Sequence, residues 1–177
     1  MKKVIVLLLV VVTAFMVINK VNSSDIIVIP DSAIRLRILA NSNTLNDQNM
    51  KMKVKSLVEK EIYNLLKEID DIDLARETLS NNIVNIKKGI EQLFDEEGYN
   101  KDFNIKMGMN YFPEKEYKEI VYEAGEYESL LIEIGSGEGE NFWCVLFPPL
   151  CLMESESADD AIYKFWAKEW IDKIFRH

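Results

Sequence analysis

The clearest pattern in the chain lies at residues 33–43, "AIRLRILANSN". Ile34, Leu36 and Ile38 alternate there with Arg35 and Arg37, the period-two signature of a half-buried strand. The turn formers that follow end it. Apolar positions then shift to helical spacing. Met50, Val54, Leu57, Val58, Ile62, Leu65, Leu66 and Ile69 recur at three and four, with lysines and glutamates between them, which predicts an amphipathic helix. Thr44, three residues before Asp47, supplies its N-terminal cap. A second helix follows "DDID". Asp73 is its expected cap, Leu74, Thr78, Leu79, Ile83, Ile86, Ile90, Leu93 and Phe94 its apolar face, and Gly98 its left-handed stop. The short connection between the two predicts an antiparallel helical pair.

Beyond Gly98 the alternation returns. Phe103, Ile105, Met107 and Met109 share one side of a strand. A turn at Ala124-Gly125 precedes a strand through Tyr127, Leu130, Ile132 and Ile134, and Phe142–Phe147 mark another after a Gly-rich loop. These spacings predict an antiparallel meander. Ser157 and Asp160 suit the start of a last helix bearing Ile162, Phe165, Trp166, Trp170, Ile171, Ile174 and Phe175, with Lys173 and Arg176 at its negative end. The expected fold is α+β: an antiparallel sheet of four to five strands packed against an N-terminal helical pair and a C-terminal helix. The apolar run Ile26–Ile29, broken by Pro30, reads as a linker or an edge strand.

The N-terminus changes the picture of where the domain works. Lys2 and Lys3 precede a run from Val4 to Ile18 interrupted only by Thr13. That length is the upper end for a signal-peptide core and short of the roughly 20 residues of a spanning helix. Residues 1–23 therefore read as a signal peptide or an N-terminal anchor, 24–33 as a linker, and 34–177 as a single α+β domain. The chain carries a formal charge of -9, and removing Lys2, Lys3 and Lys20 makes the remainder more acidic still. Such a domain repels nucleic acid and anionic head groups, so membrane contact is expected only through the N-terminal segment.

Candidate chemistry is sparse. The only histidine, His177, is the last residue, which removes Cys-His and Ser-His-Asp constellations and leaves no metal-ligand set. Gly135, Gly137 and Gly139 lead into a strand rather than a helix N-terminus, and Glu138 and Glu140 repel phosphate, so the loop reads as a flexible hairpin connection. Glu123, Glu126, Glu128 and Glu133 read as solvated strand faces. Arg35 and Arg37 either pair with glutamates across the sheet or project as a recognition surface. In "FWCVLFPPLC" the spacing of Cys144 and Cys151 is not that of a redox motif. An even cysteine count in an exported chain favours a disulfide. Closing so short a loop is worth roughly 2.5 kcal/mol by the chain-entropy estimate. Two buried free thiols are the alternative.

The segments "IPDSAIRLRILANSN", "DQNMK" and "AGEYESLLIEIGSGEGENFWCVLFPPLC" strongly resemble the stage II sporulation protein R family, from about Ile29 to Cys151. The resemblance implies a signal rather than an enzyme: no catalytic residue, no cofactor, no metal and no small-molecule substrate. It implies secretion from the forespore into the septal intermembrane space. Its implied partner is the membrane-embedded peptidase, an aspartic protease, that processes the sigma-E precursor. Partner-binding residues expected from motif density are Arg35, Arg37, Asn41, Ser42, Asn43 and Trp143, with Trp143 and the Cys144–Cys151 turn either beside the others or supporting them. An exported carboxylate-dependent hydrolase and a structural envelope protein are the alternatives.

Overall fold

The computed structural model describes residues 27–28, 31–117, 120–148 and 150. The leader, Cys151 and the expected C-terminal helix lie outside the described residues. Two long helices begin where side chains satisfy the free N–H groups of the first turn. Helix α1 spans Leu45–Leu66, and the Thr44 side chain accepts from the Asp47 N–H as expected. Helix α2 spans Ile72–Glu96, and its cap is Asp71 rather than Asp73. Both aspartates suit a helix start. Asp71 takes the cap because its extended backbone aims the carboxylate at the Leu74 N–H, 2.8 Å away. Gly98 ends α2 at φ 60°, the left-handed conformation expected there.

Three strands form a small sheet: β1 (Ile27–Val28), β4 (Lys115–Tyr117) and β5 (Ile120–Tyr122), in the order β1-β5-β4. The main sheet comprises β2 (Ile34–Leu39), β3 (Phe103–Phe112), β6 (Gly125–Ile134) and β7 (Asn141–Phe147), ordered β3-β6-β2-β7. It is mixed, which corrects the antiparallel expectation. Strand β2 runs parallel to β6, with Leu36 beside Leu130 and Ile38 beside Ile132, and antiparallel to β7. A meander pairs strands in chain order. Here the earliest of the four enters between β6 and β7, so the Gly-rich segment is a crossover spanning the end of β2 and not a hairpin. Burial explains the insertion. Ile34, Leu36 and Ile38 are all 0% exposed, and a central strand offers an all-apolar face the greatest cover.

The helices lie on the face carrying Ile34, Leu36, Ile38, Leu130, Ile132 and Ile134, joined there by Met50, Val54, Val58 and Ile62 of α1 and by Leu79, Ile86 and Ile90 of α2. They pair in antiparallel sense. Lys53 of α1 bridges Glu97 at the end of α2, and Gly89 faces Leu57 and Glu61. One expected core residue of α2 is misplaced: Leu74 is 50% exposed and Ala75 fills the interior position. Ala75 is four residues before Leu79 and in phase with Ile86 and Ile90, whereas Leu74 lies about a quarter turn or more off that buried stripe.

Truncating Ile38 to Ala removes packing on the central strand. It should cost about 2–5 kcal/mol, read as a lower denaturation midpoint with an unchanged slope.

Candidate functional site

Two clusters hold the residues singled out by the sequence, and β2 feeds both. The first sits where β2 leaves the sheet. Asp47, only 6% exposed, turns its carboxylate back toward that exit. Its Oδ2 accepts from Asn41 Nδ2 at 2.7 Å and from Ser42 Oγ at 2.5 Å, and its Oδ1 accepts from the Tyr99 hydroxyl at 2.7 Å. Tyr99 arrives there because the Gly98 turn lets its N–H close on Phe94 O at 2.9 Å, and its ring stacks edgewise on Phe94. Donation from Ser42, then Asn41, then Tyr99 holds the Asp47 carboxyl down at about 2. Burial and the neighbouring carboxylate push the Tyr99 phenol up.

The Gly-rich crossover closes over the same exit. Asn41 Oδ1 accepts from the Ser136 N–H, Ser136 Oγ donates to Asn41 O, and Glu140 N–H donates to Asn43 Oδ1 at 2.7 Å. Gly139 N–H donates to Ala40 O at 2.8 Å. Gln48 Nε2 donates to Ser42 O, and Lys51 Nζ donates to Glu140 O at 3.0 Å. The glycines answer to this close approach rather than to a ligand. A Cβ on Gly135, at φ 56°, would overlap the Asn41 side chain, and one on Gly139 would overlap the Ser42 carbonyl. The segment expected to be a flexible connection is therefore pinned along its length. Asn41, Ser42 and Asn43 have their side chains engaged within the chain.

The second cluster occupies the sheet face opposite the helices. The register puts Arg35 beside Ser129 and Val145, and Arg37 beside Leu131 and Trp143. Arg35 is 2% exposed. Its guanidinium carbon lies 3.3 Å from the Tyr127 ring centre and 5.3 Å from that of Phe112. Arg37 lies 5.2 Å from Trp143, and Phe112 meets Trp143 edge to face at 5.1 Å. Of the two alternatives expected for these arginines, Arg35 follows neither: the aromatic faces, not glutamates, receive its charge. Arg35 Nε and Nη2 and Arg37 Nε are buried with no hydrogen-bond acceptor among the described residues. Burial pulls the Arg35 guanidinium below its ordinary value. Arg37 and Trp143 are half-buried, so this pair presents the accessible part of the cluster.

The sequence reading missed Tyr127, Phe112, Asp47 and Tyr99 as site members. The first two carried a signal only in strand parity, because Tyr127 shares a face with Ser129 and therefore with Arg35. Of the expected glutamates, Glu128 is not a free strand-face acid: it binds Arg76 Nε at 2.8 Å. Cys144 projects on the helix side of β7, packed against the core, and is disulfide-bonded. Between the helices a groove of about 700 Å³ is lined by Lys60, Glu61, Asn64, Asn82 and Asn85. Among the described residues, no cluster of three or more His, Cys, Asp or Glu could hold a metal ion, and no helix is long and apolar enough to cross a membrane.

These features define a small α+β domain built on a buried acid junction, with an arginine–aromatic cluster on the opposite sheet face. The family described as Stage II sporulation protein R (spore_II_R) matches residues 30–157. Stage II sporulation protein R of Bacillus subtilis (strain 168) is 43% identical over 133 residues, covering 75% of this chain and 59% of that protein. The chain belongs to the stage II sporulation protein R family, a family of sporulation proteins. No solved structure matches it.

Acid should expose the junction. The Asp47 carboxyl is held below the ordinary aspartate range, at about 2. Its stabilisation is therefore complete above the unfolded pKa and lost as pH falls through about 2, an effect of about 2 kcal/mol. Asp47→Asn should lower stability at neutral pH and flatten its decline between about pH 5 and pH 2, followed by urea denaturation. Gly135→Ala should cost roughly 1–3 kcal/mol through strain at positive φ as well as overlap with Asn41, measured the same way.

Proposed function

We propose that this chain is an exported sporulation signal. It binds the membrane-embedded aspartic protease that removes the pro-sequence of sigma-E and favours that enzyme's active state. The observation that carries this is family membership across residues 30–157, joined to the leader-like segment at Val4–Ile18. The location that follows is the septal intermembrane space after secretion from the forespore. The mode of action is binding rather than catalysis. Among the described residues the one carboxyl held far from its ordinary range, that of Asp47, has both oxygens occupied by internal donors, which suits a structural acid rather than a general acid or base. Energetically, such a ligand acts by its differential affinity for two receptor states.

Within the expected partner-binding set we assign two roles, according to whether the side chain is engaged inside the chain. Arg37 and Trp143 offer a half-exposed cation on an aromatic ring, the kind of anchor that contributes strongly at interfaces. Arg35 is buried, and Asn41 and Ser42, though half-exposed, spend their side chains on Asp47 and the crossover, so these three support the domain. Deleting the gene in its host should block removal of the sigma-E pro-sequence, and the intact chain should restore it. Arg37→Glu should fold with an unchanged melting midpoint yet restore processing poorly. Asn41→Ala should act through a lowered melting midpoint. Normal processing in the deletion strain would remove this function. A Cys144→Ser chain scored alongside tests whether the disulfide is needed for the signal.

A further inference from the structure

We propose that the outer edge of β3 is a strand-addition site for an extended segment of the partner protein, one that is apolar at alternate positions and basic overall. This rests on the signalling function proposed above and deepens it by naming the surface and the recognition chemistry. Strand β3 is an outer strand of the main sheet among the described residues. It is ten residues long and pairs with β6 from Phe103 to Phe112 without a register shift. Strand β7, at the other edge, is seven residues long, and its pairing with β2 carries a register shift at Ile34/Arg35. Protein sheets normally blunt a long edge with bulges, prolines or charges, because its outward N–H and C=O groups template another strand. Strand β3 has no proline and a single charged residue, Lys106, whose amine is drawn toward Glu133, 3.7 Å away on β6.

The side chains of this edge point to the same use. Phe103, Ile105 and Met107 pack against the core, but the next two residues on that face do not: Met109 is 63% exposed and Tyr111 57%. They form an alternate-position apolar shelf at the end of the strand. Gly108 lies between the packed part and the shelf, and a Cβ there would meet nothing within 4 Å, so the sheet face opposite the shelf is also uncrowded at that point. Charge sets the polarity of the occupant. Glu126 is paired with Tyr111 across the ladder, and among the described residues Glu114, Glu116, Glu123 and Glu126 are exposed around this end, with Lys115 the one exposed lysine beside them. Ladder hydrogen bonds would supply affinity, the Met109–Tyr111 shelf would take alternate apolar side chains, and the acidic rim would select basic ones. A second copy of this acidic chain fits the rim less well.

The test uses the full chain in the deletion strain, scored for sigma-E pro-sequence removal. Met109→Lys combined with Tyr111→Lys should leave the melting midpoint unchanged and lose most of the restored processing, and Glu126→Lys should weaken it further. A photo-crosslinking residue at position 111 should form an adduct with the membrane-embedded peptidase, whereas the same residue at exposed Lys60 on α1 should not. If the double variant restores processing as well as the unsubstituted chain, or the adduct forms from position 60 and not from 111, the strand-edge site is overturned while the signalling function stands. An adduct from position 111 joining two copies of this chain also overturns it, making the edge a self-pairing surface. If the unsubstituted chain itself fails to restore processing, the signalling function falls and the site with it.

Discussion

The carboxylate of Asp47 is where the chain's separate parts are joined. Three donors converge on it: Asn41 and Ser42 from the exit of β2, and Tyr99 from the turn that ends α2. The aspartate itself belongs to the first turn of α1, where a negative charge is favoured by the unpaired N–H groups and the helix dipole. One buried anion thus fixes the angle at which the strand becomes a helix and ties down the far end of the second helix. The cost of burying it is met by three charge-assisted or hydroxyl hydrogen bonds, the condition under which a buried carboxylate stays ionised.

The rest of the architecture follows from that junction. With β2 held at its exit, the crossover from β6 to β7 must pass over it, spanning two strand spacings or roughly 10 Å. Only a backbone with little side chain clears so tight a path, hence Gly135 against Asn41 and Gly139 against the Ser42 carbonyl. The crossover then returns hydrogen bonds to Asn41, Asn43 and Ala40. The Asn-Ser-Asn run thus holds the strand order β6-β2-β7 through these hydrogen bonds.

The two sheet faces divide the remaining labour. On the helix side, aliphatic side chains pack in the ordinary way. On the other, a buried guanidinium is stabilised by ring faces instead of counter-charges, an arrangement that keeps Arg35 rigid and leaves the Arg37–Trp143 pair nearer the surface. Charge and burial here act together. A carboxylate partner for Arg35 would need its own desolvation, whereas Tyr127 and Phe112 supply electron-rich surface that is already apolar.

Much of this was legible from local pattern. The strand at Ile34–Leu39, both amphipathic helices, the Thr44 cap and the Gly98 stop are set by interactions within a few residues, and they appear where the periodicity puts them. The α+β class and the segregation of Arg35 and Arg37 from the apolar side of their strand follow from the same periods of 3.6 and 2. Strand order was not legible, because parallel pairing of β2 with β6 joins residues nearly a hundred positions apart and leaves no mark on local spacing. Nor was the meaning of the motif residues: "ANSN" and "GSGEGE" are each turn-like alone, and only their meeting over one strand exit makes the asparagines acceptors and the glycines necessary. Sequence determined the elements and the faces they must bury. Tertiary structure decided which strand lies between which, since that choice rests on long-range burial of an apolar strand and one shared carboxylate.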